Sequence, residues 1–427
     1  VNRPKKAAPQ LPAARAAPVS YTHLDVYKRQ TSRRRWPASR RTVPEPPAPT
    51  SRRRRPRARA SSPRSTSWPV TPSWTPGSAP PRPRSATAVS YTHLDVYKRQ
   101  VVQYADFVGD SFQLANAALT RPDAEAIVFC GVHFMAETAD ILSTPEQAVI
   151  LPNLAAGCSM ADMADADSVE DCWEQLEEIF GTEPDADGRV PVIPVTYMNS
   201  SAALKAFCGK HGGIVCTSSN AKTVLEWAFE RGQRVLFFPD QHLGRNTAKA
   251  LGVPLEQMPM WNPRKELGGN DEQALLDSRV ILWHGFCSVH KRFSVAQIEK
   301  ARTDFPGVQV IVHPECPMEV VDAADSAGST DFIQKAIAAA VEPTVFAIGT
   351  EINMVNRLAA QYPQHTIFCL DPVICPCSTM YRIHPGYLAW VLEELVAGRV
   401  VNRITVDDAV QQDARTALER MLAAKPQ

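Results

Sequence analysis

Three observations predict an α/β fold with parallel sheets, arranged as three pseudo-repeats. From residue 101 onward, short apolar runs rich in Val, Ile and Phe alternate with segments of helical period. Between each run and the next helix lies a small-residue or polar loop, as parallel strands with helical crossovers require. The pattern then recurs, so that each repeat consists of three strand–loop–helix units.

The first hundred residues are of another kind. They carry nearly half of the 46 Lys and Arg and nearly half of the 36 prolines, against only Asp25, Glu45 and Asp95 and no cysteine. The near-neutral total therefore joins a basic leader to an acidic body. Val19 to Gln30 and Val89 to Gln100 are the same twelve residues, VSYTHLDVYKRQ. Identity without drift, between dissimilar flanks, is expected of one short nucleotide sequence read twice. Residues 1–100 are accordingly read as a disordered leader foreign to the natural gene. The competing reading is a basic arm that neutralises nucleic-acid phosphates. Trp36, Trp68 and Trp74 show no stacking-module pattern, and the segment has too little apolar periodicity to fold.

Repeat one spans 101–189. VVQYADFVGDSFQLANAAL has helical spacing broken at Gly109, with Asp110 or Ser111 placed to cap a helix. AEAIVFCGVHFMAETADIL and AVILPNLAAGCSMAD supply strands with their loops. No strand is read ahead of Val101, so this repeat is expected to lack its first one. Ala164 to Glu178 reads as an exposed acidic helix and Glu183 to Asp187 as a solvated loop. Repeat two, 190–288, contains VPVIPVTYMNSSAALKAF, GIVCTSSNAKTVLEWAF and RVLFFPDQHLGRNTAKAL, with Pro254 to Asn270 as a surface insertion. Repeat three, 289–385, contains VQVIVHPECPMEVVDAA, TVFAIGTEINMVNRLA and TIFCLDPVICPCSTM. Residues 386–427 read as two helices, the first with Leu388, Val391, Leu392 and Leu395 on one face.

The ten cysteines are spread from Cys130 to Cys377, which suits a reducing compartment and free thiols or metal ligands rather than a disulfide scaffold. No run of 18 apolar residues is present to span a membrane. Cys158, Cys287 and the pair Cys375 and Cys377 each follow a strand and sit in a polar loop. Three distant thiolates suit a soft-metal or iron–sulfur site with one coordination position open. There is no clustered CxxC…CxxC. Taken singly, any of these thiols could be a buried small hydrophobe, as Cys130, Cys208, Cys216 and Cys369 are read to be.

The remaining strand ends carry Tyr197 and Asn199, Ser218 with Ser219 and Asn220, and His313 with Glu315, while Ser329 and Thr330 open a helix. Hydroxyls at helix N-termini bind anions through free amides and a favourable dipole. His313 and Glu315, two apart, share a side in extended chain and form a plausible acid/base pair. Asp240, His242 and Arg245 could bind an anion, but are read as bridging repeats.

FCGVHFMAETADIL, LPNLAAGCSMADM, TYMNSSAALKAF, TSSNAKTVLEWA, FPDQHLGRNTA, GFCSVHKRF, VHPECPMEVV, GTEINMV and CPCSTM, in this order, resemble the quinolinate synthases over residues 101 to about 395. The resemblance implies three α/β/α domains around a pseudo-threefold axis, with a [4Fe–4S] cluster at the centre. It implies condensation of iminoaspartate with dihydroxyacetone phosphate to quinolinate, in the cytoplasm, with L-aspartate oxidase as a functional partner. By motif, Cys158 and Cys287 are ligands. Cys377-Ser378-Thr379-Met380 keeps the family's C-x-x-M spacing, so Cys377 is taken over Cys375 as the third. Glu315, His313 and Tyr197 are implied as catalytic; Ser111, Asn199, Ser218, His290 and Thr330 as substrate-binding. The family's HxYQ loop is replaced by YKRQ of the repeated twelve-mer, which implies impaired turnover; Tyr27 and Tyr97 are given no role. The rival reading of the same thiols is a non-catalytic iron–sulfur or metal-binding sensor.

Overall fold

A computed structural model describes residues 86–91, 101–102, 104–373 and 376–424, all within one compact unit. The remainder of the leader, including its expected disorder and YKRQ, lies outside the described residues, as does Cys375.

The first sheet is built from β1 (Ala86–Tyr91), β2 (Phe107–Gly109), β3 (Ala126–Cys130) and β4 (Ala148–Ile150). Its order is β14-β4-β3-β1-β2, with β14 (Arg403–Ile404) antiparallel on one edge and every other pair parallel. The expectation that this repeat lacks its first strand is therefore corrected. Ala86–Tyr91 lies in the middle of the sheet, between β2 and β3. ATAVSY has enough small, β-branched and aromatic character to pair in a sheet. That signal was obscured because the last three of its residues open the repeated twelve-mer. A second correction concerns Val101 to Gly109, whose end is strand β2 rather than helix. Asp110 caps the following helix, Ser111–Leu119, accepting from Gln113 N at 2.9 Å in a capping box.

The second sheet comprises β5 (Val190–Tyr197), β6 (Ile214–Cys216), β7 (Gly232–Phe238), β8 (Met260–Trp261) and β9 (Val280–Trp283). They run in the order β6-β5-β7-β9-β8, all parallel. Here Pro254 to Asn270 is more than a surface insertion, because it supplies β8 and buries Trp261. A third sheet, β11-β10-β12-β13, is again wholly parallel. Its strands are β10 (Gln309–Val312), β11 (Ser326–Ala327), β12 (Val345–Gly349) and β13 (Thr366–Cys369).

Strands in such sheets are covered on both faces, so their side chains divide by alternation between two cores. In the third sheet Val310, Val312 and Ala347 enter one cluster, while Ile311, Phe346 and Ile348 enter the other. The first two sheets instead share one continuous core. Helix Ala166–Phe180 buries Val169, Cys172, Trp173 and Leu176 and leaves its acidic side in water. The C-terminal segment holds two helices, Pro385–Val396 and Asp408–Ala423, with β14 between them. The last helix packs on Ala202–Lys210 so closely that a Cβ at Gly209 would fall 1.9 Å from the Asp413 carbonyl oxygen. Arg420 Nη1 donates to Gly213 O at 2.6 Å across the same seam. No helix among the described residues is long and apolar enough to cross a membrane.

Candidate functional site

The three thiols sit on one recurring piece of backbone. Cys158, Cys287 and Cys377 are each followed by serine, and each carbonyl accepts from the amide four residues on: Asp162 at 3.1 Å, Lys291 at 3.0 Å and Tyr381 at 3.0 Å. A single 3₁₀ turn follows every time, at Ala161–Met163, His290–Arg292 and Met380–Arg382. The next helix is then capped by Asp165, Ser294 or His384, seven residues past the cysteine in each case. All three cysteines are half-buried and free. Burial pushes the Cys158 thiol up to about 12, and the nearby Cys377 adds to it. Cys287 is raised well above the ordinary range by burial, by Glu315 and by Cys158. Buried thiols at Cys158 and Cys287, each raised further by a neighbouring thiol, would be relieved by a central cation, so the residues present fit a three-thiolate metal or iron–sulfur group.

Beside the thiols lies a buried carboxylate. Tyr197, at the end of β5, donates its hydroxyl to Glu315 Oε1 at 2.6 Å. His290 Nδ1 donates to Glu315 Oε2 at 2.8 Å, and its Nε2 pairs with the Thr350 hydroxyl at 3.0 Å. The His313 ring stacks on His290 with centroids 4.5 Å apart. His313 Nδ1 accepts from the Glu315 amide at 3.3 Å, as a neutral ring would. Burial alone would raise the Glu315 carboxyl, yet His290, His313 and the two hydrogen bonds outweigh it and hold the group below the usual carboxylate range. Burial first, and then His290, depress His313 to about 3. Ligand atoms of Cys287, His290 and Glu315 all lie within 4.8 Å of one another, joining thiol and carboxylate into one site.

The loops are pinned from below. Asn246 Nδ2 donates to the carbonyls of Pro314 and Cys316, both at 2.9 Å, on either side of Glu315. Lys205, wholly buried, donates to Ser200 O at 2.5 Å and so fixes the loop that carries Asn199. Burial lowers that ammonium to about 8. Asn199 Oδ1 is buried without a hydrogen-bond partner, an acceptor waiting for a donor.

The expected hydroxyls stand at helix starts. Ser111 and Thr330 are the first residues of their helices and are buried, while Ser218 precedes helix Ala221–Arg231. Their neighbours are bonded across the repeats: Ser219 Oγ donates to Asp110 Oδ2 at 2.5 Å, and Gln113 Nε2 donates to Asp331 Oδ1 at 3.1 Å. These bonds bring the three helix starts to one rim. Ser111 Oγ itself rests on Met135 Sδ at 3.9 Å. Direct bonds thus join Tyr197, His290, His313 and Glu315, whereas Ser111 meets Met135 on the next helix. Cys130, Cys208 and Cys216 are core, and Cys369 is half-buried with Sγ 3.7 Å from Thr350 O.

Sequence reasoning missed Thr350, Lys205 and Asn246. Only the first carried a usable signal, since it directly follows the β12 apolar run at a strand's carboxyl end.

Residues 85–423 match the family model described as quinolinate synthetase A protein. A quinolinate synthase of Corynebacterium glutamicum is 75% identical over 331 residues, covering 77% of this chain and 82% of that protein. One from Streptomyces coelicolor is 55% identical over 331 residues, with the same coverages. One from Rhodopirellula baltica is 52% identical over 337 residues, covering 76% of this chain and 84% of the relative.

Proposed function

The chain belongs to the quinolinate synthetase A protein family, and from that premise we propose that it condenses iminoaspartate with dihydroxyacetone phosphate to quinolinate, for NAD biosynthesis. Cys158, Cys287 and Cys377 would hold a [4Fe–4S] cluster. When bound, that cluster supplies a Lewis-acidic iron, because three ligands leave one position open to substrate.

The protein's own groups then divide the work. The hydroxyls of Ser111, Ser218 and Thr330, at helix starts, suit phosphate and carboxylate groups. The unpartnered Asn199 Oδ1 suits a donor such as an imine N–H. Glu315, ionised between Tyr197 and His290, can accept the Tyr197 proton as that hydroxyl takes one from the substrate. Its lowered pKa suits a relay that passes protons on rather than a base that keeps them. His313 fills the space behind His290 and orients it.

The observation that carries the reading is the buried Tyr197–Glu315–His290 chain in reach of Cys287. The repeated cysteine backbone supports Cys377 as third ligand and a pseudo-threefold axis, with domains near 101–189, 190–288, 289–385 and 386–427. Iminoaspartate arises by two-electron oxidation of aspartate, so L-aspartate oxidase would be the functional partner and the cytoplasm the location. Anaerobic reconstitution followed by both substrates should yield quinolinate and phosphate in equal amounts. A protein that takes up its full iron and sulfide but forms no quinolinate even with the HxYQ loop restored would favour the sensor reading instead.

A further inference from the structure

In the second and third repeats the same carboxylate position reaches the cysteine loop. Asp240 and Glu351 each lie two residues past a strand end, at β7 and β12, and each caps a ten-residue helix, Gln241–Ala250 or Ile352–Gln361. Asp240 Oδ1 accepts from Leu243 N at 2.7 Å, while its Oδ2 accepts from Cys287 N at 3.1 Å. Glu351 Oε2 accepts from Asn353 N at 2.9 Å, while its Oε1 accepts from Cys377 N at 3.2 Å. Both side chains are buried. In the first repeat this position is Val132, which has no side-chain cap; there His133 N donates to Ala156 O at 2.7 Å.

An ordinary capping carboxylate satisfies helix amides alone. These two also fix the one amide of each loop that belongs to the cysteine, which sets where the thiol points. We propose that Asp240 and Glu351 are positioning residues for the Cys287 and Cys377 thiols, and that Cys158 is held by backbone instead. The proposal rests on the three-thiol reading of the site.

Both can be tested separately on the full chain. In metal-free protein under anaerobic conditions, the alkylation rate of each cysteine is followed by peptide mass spectrometry in Asp240→Asn and Glu351→Gln. Each amide oxygen can still cap its helix, while the other end meets the cysteine N–H with a donor. Putting an amide donor where an oxygen accepted the cysteine N–H should change the rate of the attached thiol roughly tenfold. Asp240→Asn should alter Cys287 but not Cys158, and Glu351→Gln should alter Cys377 but not Cys158. Equal changes at all three thiols, or no change at any, would overturn the proposal. Asp240→Glu, which keeps a carboxyl oxygen as acceptor, should restore part of the parental ratio, and failure to do so would also count against it. Iron and sulfide counts on the unsubstituted protein test the three-thiol reading by themselves, because the alkylation ratios are read without metal.

Discussion

Replacing Glu315 by glutamine should separate chemistry from stability. The amide has the same volume, and its oxygen can still accept from Tyr197, now 2.6 Å from Glu315 Oε1. The charge-assisted hydrogen bond from Tyr197 becomes a neutral one, and the one from His290 at 2.8 Å is lost as such, because the new amide NH2 faces His290 Nδ1, which must switch tautomer to accept from it. Charge-assisted bonds contribute about 1.5–3 kcal/mol and neutral ones about 0.5–1.5 kcal/mol, so the loss is about 1 kcal/mol for each. Against it, the charge that raises Asp240 and Cys287 disappears, which returns part of that cost. The net destabilisation should be about 1–2 kcal/mol, readable as a shift in urea midpoint at unchanged slope. Turnover should fall by about 10²–10⁴, the usual contribution of a positioned proton-transfer group. The assay is anaerobic quinolinate formation by protein of matched iron content. Turnover within threefold of the parent would refute the assignment of proton transfer to Glu315.

Acid stability should depend on His313. Its folded pKa of about 3 lies below the ordinary 6.5, so as pH falls from 6.5 the unfolded chain takes up a proton that the fold refuses. Between pH 6.5 and 4.5 this should remove up to about 1.4 kcal/mol per pH unit, and His313→Phe should flatten that slope in urea melts. Glu315 contributes in the same direction only below its ordinary 4.5. Gly209→Ala should destabilise by about 1–3 kcal/mol, since the new methyl meets the backbone of Asp413 rather than a yielding side chain; an unchanged midpoint would contradict the packing of the last helix. If YKRQ replaces an HxYQ loop, as the resemblance implies, restoring HxYQ should raise quinolinate turnover, and equal rates would contradict the expected impairment.

Much of the architecture was legible because strand and helix periods differ. The β5, β7, β10 and β12 runs all announce themselves as continuous apolar stretches before a polar loop. Ala86–Tyr91 was not legible, because half of it belongs to a twelve-mer that occurs twice and the sheet that accepts it is formed by distant strands. The two-residue strands β8, β11 and β14 are set by pairing alone, and no local pattern marks them. In the candidate site, Tyr197, His313 and Glu315 stand out in the sequence because polar groups at strand ends are conspicuous, and the structure brings them into contact. Thr350 and Lys205 do not stand out, since their roles arise from contacts with His290 and Ser200 that become visible only in three dimensions. Asp240 was read as a bridge between repeats, whereas it caps its own helix and holds the Cys287 amide.

The most direct test of the central claim is an iron and sulfide count after anaerobic reconstitution across single cysteine-to-alanine variants. Cys158→Ala, Cys287→Ala and Cys377→Ala should each lose most of the bound iron and sulfide. Cys172→Ala and Cys375→Ala should keep about four of each per chain, as one [4Fe–4S] cluster requires. Full occupancy in the Cys377→Ala protein, or loss in Cys375→Ala, would contradict the assignment of the third ligand. Full occupancy in all three ligand variants would contradict the three-thiol site itself.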